Sequence, residues 1–197
     1  MRRVPLAAAA AVATLVVLAA SAAATLRDDS PTPAFASVEA APPVTALDDA
    51  TIVAIFDAAN TVDIETGQLA AERGESKEVR DFGAMLARDH AFVRQQGRDL
   101  ARKLGVTPTP PSDSAAAKAH ARAMATLRAT PTAEFDHAFL QHEVAFHKAV
   151  IDAVTSTLLP AIRNAELKDL VVMVAPAFEA HMIAAQTLDK RLSGTGK

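Results

Sequence analysis

Residues 76–105, SKEVRDFGAMLARDHAFVRQQGRDLARKLG, decide the fold class. Val79, Phe82, Leu86, Val93, Leu100 and Leu104 recur at intervals of three, four and seven residues, which places them on one stripe of an α-helix. Ser76 stands before the stretch as an N-cap residue, with Glu78 in the first turn. Gly105 follows it where a left-handed residue ends a helix, and Pro108, Pro110 and Pro111 bar continuation.

The same pattern repeats outward in both directions. Upstream, Ile52, Ile55, Phe56, Ala59, Val62, Leu69 and Ala70 predict a helix from about Asp48, as N-cap, to Glu72, stopped by Gly74. Downstream, an alanine-rich stretch from about Asp113 to Arg128 reads as a short connecting helix. A third long helix is predicted from about Thr132 to Leu158, with Phe135, Phe139, Phe146, Val150 and Val154 on its stripe and Pro160 after it. A fourth runs from about Asn164 to Leu192. Short connections force helices one and two, and three and four, to run antiparallel. The second helix spans about 43 Å at about 1.5 Å per residue, so residues 105–131 must travel that far if the third is to lie parallel to it. The predicted fold is all-α, a ferritin-like four-helix bundle whose long crossover holds a short extra helix; an up-down bundle with a decorated loop is the alternative.

Composition agrees. Aromatics are 4% and glycines number 7 in 197 residues, while alanine and leucine carry most of the apolar content, so β architectures lack their usual residues. There is no cysteine, which excludes disulfides, thiolate metal sites and lipoprotein anchoring. Arg2 and Arg3, the apolar run Leu6–Ala20 and the small residues at 20–24 predict a cleaved signal peptide over 1–24 and export to the periplasm or cell envelope. An uncleaved anchor would need about 20 apolar residues, more than this run supplies. Losing those two arginines takes the formal charge from −3 to −5, which argues against nucleic acid as a partner. Residues 25–46, with Pro31, Pro33, Pro42 and Pro43, read as a tether, 47–192 as the bundle and 193–197 as a flexible tail. No transmembrane span is expected in the mature chain.

A site inside a bundle must be built from ionisable residues on the apolar stripes. His90 and Asp89 straddle the stripe of the second helix, and His181 sits centrally in the fourth. Glu143 lies among Phe139, Phe146 and Val150, His147 follows at i+4, and His142 is on the opposite edge. Asp63 is on the apolar side of the first helix, with Glu65 further round. Ionisable groups buried at a shared depth are costly unless they are paired or bind a metal. His90, His147 and His181, with Glu143, Asp89 and Asp63 as oxygen ligands or as groups that orient the imidazoles, suit Fe, Cu, Zn or Mn. Pro176, which kinks a helix, stands about one turn before His181. The competing reading is a metal-free polar network that fixes helix register. His120 and His137 fall off the stripes and read as surface, and Arg88, Arg94, Arg98, Arg102 and Lys103 as a solvated face.

Asn60-Thr-Val-Asp-Ile-Glu65 with Gly67 and Leu69-Ala70, Val79-Arg-Asp-Phe82 through Met85 to Asp89-His90, Phe135-Asp136, Phe139, His142-Glu-Val144, His147 and Pro176 to His181 resemble one family. It is the bacterial domain of unknown function 4142, exported proteins labelled predicted outer membrane proteins and grouped with the ferritin-like superfamily. The resemblance covers about residues 48–190 and implies a ferritin-like bundle in the periplasm or envelope, without specifying an activity. Di-iron members of that superfamily use Glu-x-x-His pairs. Its one such pair, Glu134-Phe-Asp-His137, ends on a histidine that falls off the stripe; on the stripes the chain offers Asp89-His90, Glu143-x3-His147 and Glu179-x-His181 instead, and it has no tyrosine beside which a redox centre could work.

Two functions stay open: a metal-binding envelope protein, and a structural or interaction module whose partner is another envelope protein or a second copy of the chain. No Gly-x-Ser-x-Gly and no glycine-rich phosphate loop points to an enzyme.

Overall fold

Asp48 and Ser76 cap the first two helices as expected: Asp48 Oδ1 accepts from the Thr51 N–H at 2.8 Å, and Ser76 Oγ from that of Val79 at 3.2 Å. The computed structural model describes residues 47–111 and 115–194, and every element among them is helical. They are α1 (Asp49–Arg73), α2 (Lys77–Leu104), α3 (Ala115–Ala129), α4 (Thr132–Ala153) and α5 (Ala165–Gly194). The fold is an all-α helical bundle. The signal peptide, the tether and the predicted start of the connecting helix at Asp113 lie outside the described residues.

Gly105 ends α2 at φ 66°, the left-handed conformation its position predicted. Three boundaries differ from expectation. The third long helix continues from α4 through a π-helical turn, Val154–Leu158, into a last turn ending at Ala161. Pro160 cannot donate to the carbonyl of Ser156 and its ring crowds that oxygen, so the preceding turn widens until the Leu159 N–H bonds to Val154 O instead. Helix α5 begins at Ala165 with the Asn164 side chain accepting from the Leu167 N–H at 3.0 Å. It also takes in Ser193 and Gly194, which were expected to belong to the tail.

Three apolar clusters give the topology. One joins the C-terminal part of α1 (Leu69, Ala70), the N-terminal part of α2 (Val79, Phe82, Leu86), the start of α4 (Phe135, Phe139, Leu140) and the end of α5 (Ala185, Leu188). Another joins the opposite ends: Ile52 and Val53 of α1, Ala101 of α2, Leu158 beyond α4, and Leu167 and Val171 of α5. Helices α2 and α4 therefore run the same way, antiparallel to α1 and α5. The long crossover provides for this, with α3 laid against the bundle through Ala119, Ala123, Met124 and Leu127. A third cluster, with Phe146, Val150, Leu170, Val174 and Phe178, fills the space between.

The hairpins are tied at both ends. Asp136 of α4 accepts the N–H groups of Glu75 and Ser76 at 2.8 Å each, and Asp49 of α1 those of Arg163 and Asn164 at 2.9 Å each. The Arg73 guanidinium holds the end of α3 through the carbonyls of Leu127, Arg128 and Thr130. Helices α1 and α2 touch backbone to backbone at Gly67 and Gly83, where a Cβ on either would lie 2.6 Å from the other's carbonyl oxygen. That approach presses the inner faces of α1 and α2 together one turn from Asp63 and two turns from His90.

Helix α5 is long and apolar enough to cross a membrane, with a best-window mean hydropathy of 1.3. Its stripe of Leu167, Leu170, Val171, Val174, Phe178, His181, Ala185 and Leu188 is nevertheless buried in the bundle. Val172, Met173 and Ile183 remain exposed on its outer face.

Candidate metal centre

Asp63, His90, Glu143, His147 and His181 each stand near the middle of a helix, and the bundle brings them together at mid-height. Three imidazoles converge: ring centroids are 5.1 Å apart for His90 and His181, 5.6 Å for His90 and His147, and 5.7 Å for His147 and His181. One nitrogen of each lies within 4.8 Å of the others, and His147 also forms such a group with Asp63 and Glu143. Asp63, Glu143 and His147 are fully buried and His90 nearly so; His181 is 9% exposed. Phe178 closes the apolar side, its ring 4.9 Å from that of His90 and 5.8 Å from that of His147.

The partners around two of the rings fix where the protons sit. Asn60 donates its amide to Phe56 O at 2.8 Å, which turns Oδ1 toward His90 Nδ1 at 3.0 Å. His90 Nδ1 must then carry the hydrogen, and Nε2 the lone pair. Asp63 Oδ2 is also 3.3 Å from Nδ1 but off the N–H direction, and receives no hydrogen bond from it. His147 Nδ1 donates to the Glu143 carbonyl at 3.0 Å, leaving Nε2 buried with no partner. Asp89 Oδ2 stands 3.5 Å from His181 Nε2, too long a contact to fix which ring nitrogen of His181 carries the proton.

His90 Nε2 and His181 Nδ1 face each other at 3.1 Å: a hydrogen bond when His181 carries its proton on Nδ1, and two converging lone pairs that a metal ion could bridge when it carries it on Nε2. Two nitrogens bound at about 2.0–2.1 Å in a tetrahedral site are about 3.3 Å apart. His90 and His147 also have their other nitrogen held by an oxygen acceptor, the arrangement that orients metal-bound histidines.

Burial and mutual repulsion keep the imidazoles uncharged. The pKa of His90 is pushed down to about 2, first by burial and then by His147 and His181, and that of His147 to about 3 by burial and then His181. His181 is lowered by burial, with Asp89 working against it. The carboxyls move the other way. Burial raises Asp63 well above its usual range, reinforced by Glu143, and lifts Glu143 to about 7 despite its contacts to Thr66 and Asp63. All four carboxyl oxygens of the pair are buried, and the proton held at these raised pKa values can be shared only between the two carboxyls.

Not every expected residue lies in this cluster. Asp89 is 38% exposed at its mouth, where it pairs with Arg88 and faces His181; a step of about 100° from His90 puts it on the rim. His120, expected at the surface, is half-buried because α3 packs down on α1, and it bonds Glu65 at 2.8 Å. His137 is exposed and pairs with Asp189, and Arg98 pairs with Asp57 on the solvated face. Asn60 and Thr66 were not among the expected site residues, yet both are fully buried beside it. Their signal was the spacing of Asn60, Asp63, Gly67 and Ala70, one polar-to-small stripe on α1.

A helical bundle with three imidazoles and two carboxyls enclosed at mid-height defines a class: an all-α protein with a buried histidine–carboxylate centre. The chain belongs to the family described as Domain of unknown function (DUF4142), whose model matches residues 34–188. No curated protein and no solved structure is significantly similar to it.

Proposed function

We propose that this chain is an exported envelope protein whose bundle binds one divalent transition-metal ion through His90 Nε2, His147 Nε2 and His181 Nδ1. The observation that carries the reading is the convergence of three buried imidazoles, one nitrogen of each within 4.8 Å of the others, with the opposite nitrogens of His90 and His147 held by oxygen acceptors. Three nitrogens favour Zn, Cu or Fe over Mn. Charge supports a dication: with Asp63 and Glu143 ionised beside it, the buried cluster is neutral, and their unpartnered oxygens gain a counter-charge. Binding then releases the protons these carboxyls hold in the metal-free protein.

A metal-free network accounts for the His90–Asn60 and His147–Glu143 bonds. It leaves His147 Nε2 unsatisfied, at about 1–3 kcal/mol, and gives the Asp63 and Glu143 carboxyls no partner beyond each other. That imbalance favours the metal. A ferroxidase-type di-iron centre fits poorly, since α2 and α5 bring no carboxylate into the cluster. The two hairpins joined by a long crossover support a ferritin-like arrangement.

Elemental analysis of the mature protein, purified without a histidine tag, tests the reading. Near-stoichiometric metal, lost in a His90→Ala/His181→Ala double variant, is expected; below about a tenth of an equivalent in both, with no thermal shift on adding Fe, Cu, Zn or Mn, the metal reading fails. Export is supported by the composition of residues 1–24. The expected product is a periplasmic species beginning near Ala22–Thr25, and an intact N-terminus in the cytosolic fraction would contradict it.

A further inference from the structure

Of the five side chains enclosed at mid-height, His181 is the one that reaches water. Its side chain is 11% exposed, against 1% for His90 and 0% for Asp63, Glu143 and His147. Two other approaches are closed: Gly67 and Gly83 press α1 against α2 one turn from Asp63, and the Phe178 ring packs on those of His90 and His147. The His181 ring spans the wall between solvent and the cluster. Its Nδ1 faces His90 Nε2 inside at 3.1 Å, and its Nε2 faces Asp89 Oδ2 at the mouth at 3.5 Å. The other oxygen of Asp89, Oδ1, lies 3.1 Å from Arg88 Nε and 3.0 Å from Arg88 Nη2. With side chains 72% and 38% exposed, that ion pair is weakly held and open to exchange.

We propose that Asp89 is the port by which a divalent ion enters the bundle: the hydrated ion displaces Arg88 from the carboxylate, lodges between Asp89 Oδ2 and His181 Nε2, and passes inward to the three imidazoles. This rests on the metal reading above and adds the route by which the enclosed centre fills. Two donors 3.5 Å apart are close to the separation of about 3.3 Å that two tetrahedral ligands of one ion require. A bare dication leaves water only at a large cost, so its water ligands must be replaced in steps, and the mouth supplies the first two replacements. An anionic group at a narrow opening also raises the local cation concentration. When the His181 proton sits on Nδ1 and bonds His90 Nε2, the Nε2 lone pair faces this mouth. As the ion passes from Nε2 to Nδ1, a proton passes the other way through water at the mouth, and none is gained or lost. Asp89 stays outside the final ligand set, so it speeds entry and exit alike.

The test compares the unaltered mature protein with Asp89→Asn and Arg88→Gln, both at solvent-exposed positions. Calorimetric titration with Zn2+ gives Kd, and stopped-flow mixing of the zinc-loaded protein with excess chromogenic chelator gives the release rate. The uptake rate constant is the release rate divided by Kd. Asp89→Asn should slow uptake and release together, by about tenfold or more, while Kd moves less than about threefold. Arg88→Gln should speed both, and added salt should slow uptake more in the unaltered protein than in Asp89→Asn. If Asp89→Asn leaves both rates unchanged, or weakens binding by faster release as the loss of a resident ligand does, the port is overturned and the metal centre stands. An unaltered protein that takes up no zinc overturns both.

Discussion

Two layers of the same bundle handle burial in opposite ways. At one end, Leu69, Phe82, Leu86, Phe135, Phe139 and Leu188 fill the space with apolar volume, and Phe135 and Phe139 are fully buried in parallel 6.2 Å apart. About two turns along, the same four helices place Asp63, His90, Glu143, His147 and His181 at equal depth. The first layer is complete within the chain, because every buried atom finds van der Waals partners. The second is not, because His147 Nε2 has no hydrogen-bond partner and the Asp63 and Glu143 carboxyls have only each other. One layer supplies stability without help, and the other is the layer that the proposed ion would complete.

The largest effect should fall on the apolar layer and ignore metal. Phe139→Ala should destabilise by about 3–5 kcal/mol in denaturant unfolding, equally with and without zinc. A loss that depended on zinc would mean the layers are not separable. Next comes the polar layer: zinc at about a hundredfold over its Kd should add about 2.7 kcal/mol to the unaltered protein, and nothing comparable to His147→Ala. Equal thermal shifts in the two would remove His147 from the site.

Gly83→Ala should be smaller, about 1–3 kcal/mol, because the new methyl meets Gly67 O at 2.6 Å and Ala71 N at 2.8 Å, backbone atoms that cannot swing aside. It should also weaken zinc binding by spreading α1 from α2, and an unchanged affinity would show that the centre tolerates that separation. The smallest net effect is the pH dependence of the metal-free protein. Glu143 has a folded pKa of about 7 against 4.5 in the unfolded chain, so its contribution is lost as pH rises through that window. His90, at about 2 against 6.5, contributes stability above pH 6.5 that is lost as pH falls. The two trends oppose each other between about pH 4.5 and 6.5 and partly cancel. Glu143→Gln should shrink the decline between pH 6.5 and 7.5 while sparing the acid limb, the remainder belonging to Asp63, whose pKa burial also raises. If thermal melts of that variant keep the full decline, Glu143 is not its source.

Helices and their order were legible because apolar periodicity and caps are local: Ser76, Gly74 and Gly105 act within a turn of their own positions. The inward histidines were legible for the same reason, since His90, His147 and His181 interrupt stripes that are otherwise apolar. Tertiary packing hid the rest. Whether Asp89 or Asp63 lies deeper depends on the rotation of α1 against α2, which the Gly67–Gly83 contact sets. His120 looked superficial because its environment is made by α1 and α4 rather than by α3. Asn60 looked ordinary until the Phe56 carbonyl, by taking its amide hydrogen, aimed its oxygen at His90.

X-ray absorption at the zinc edge, on mature protein loaded with one equivalent, addresses the buried centre directly. The spectrum should show multiple-scattering features of three imidazoles, with nitrogen at about 2.0–2.1 Å. A shell of oxygen alone, or one with fewer than two imidazoles, would contradict the assignment of His90, His147 and His181 as the ligands.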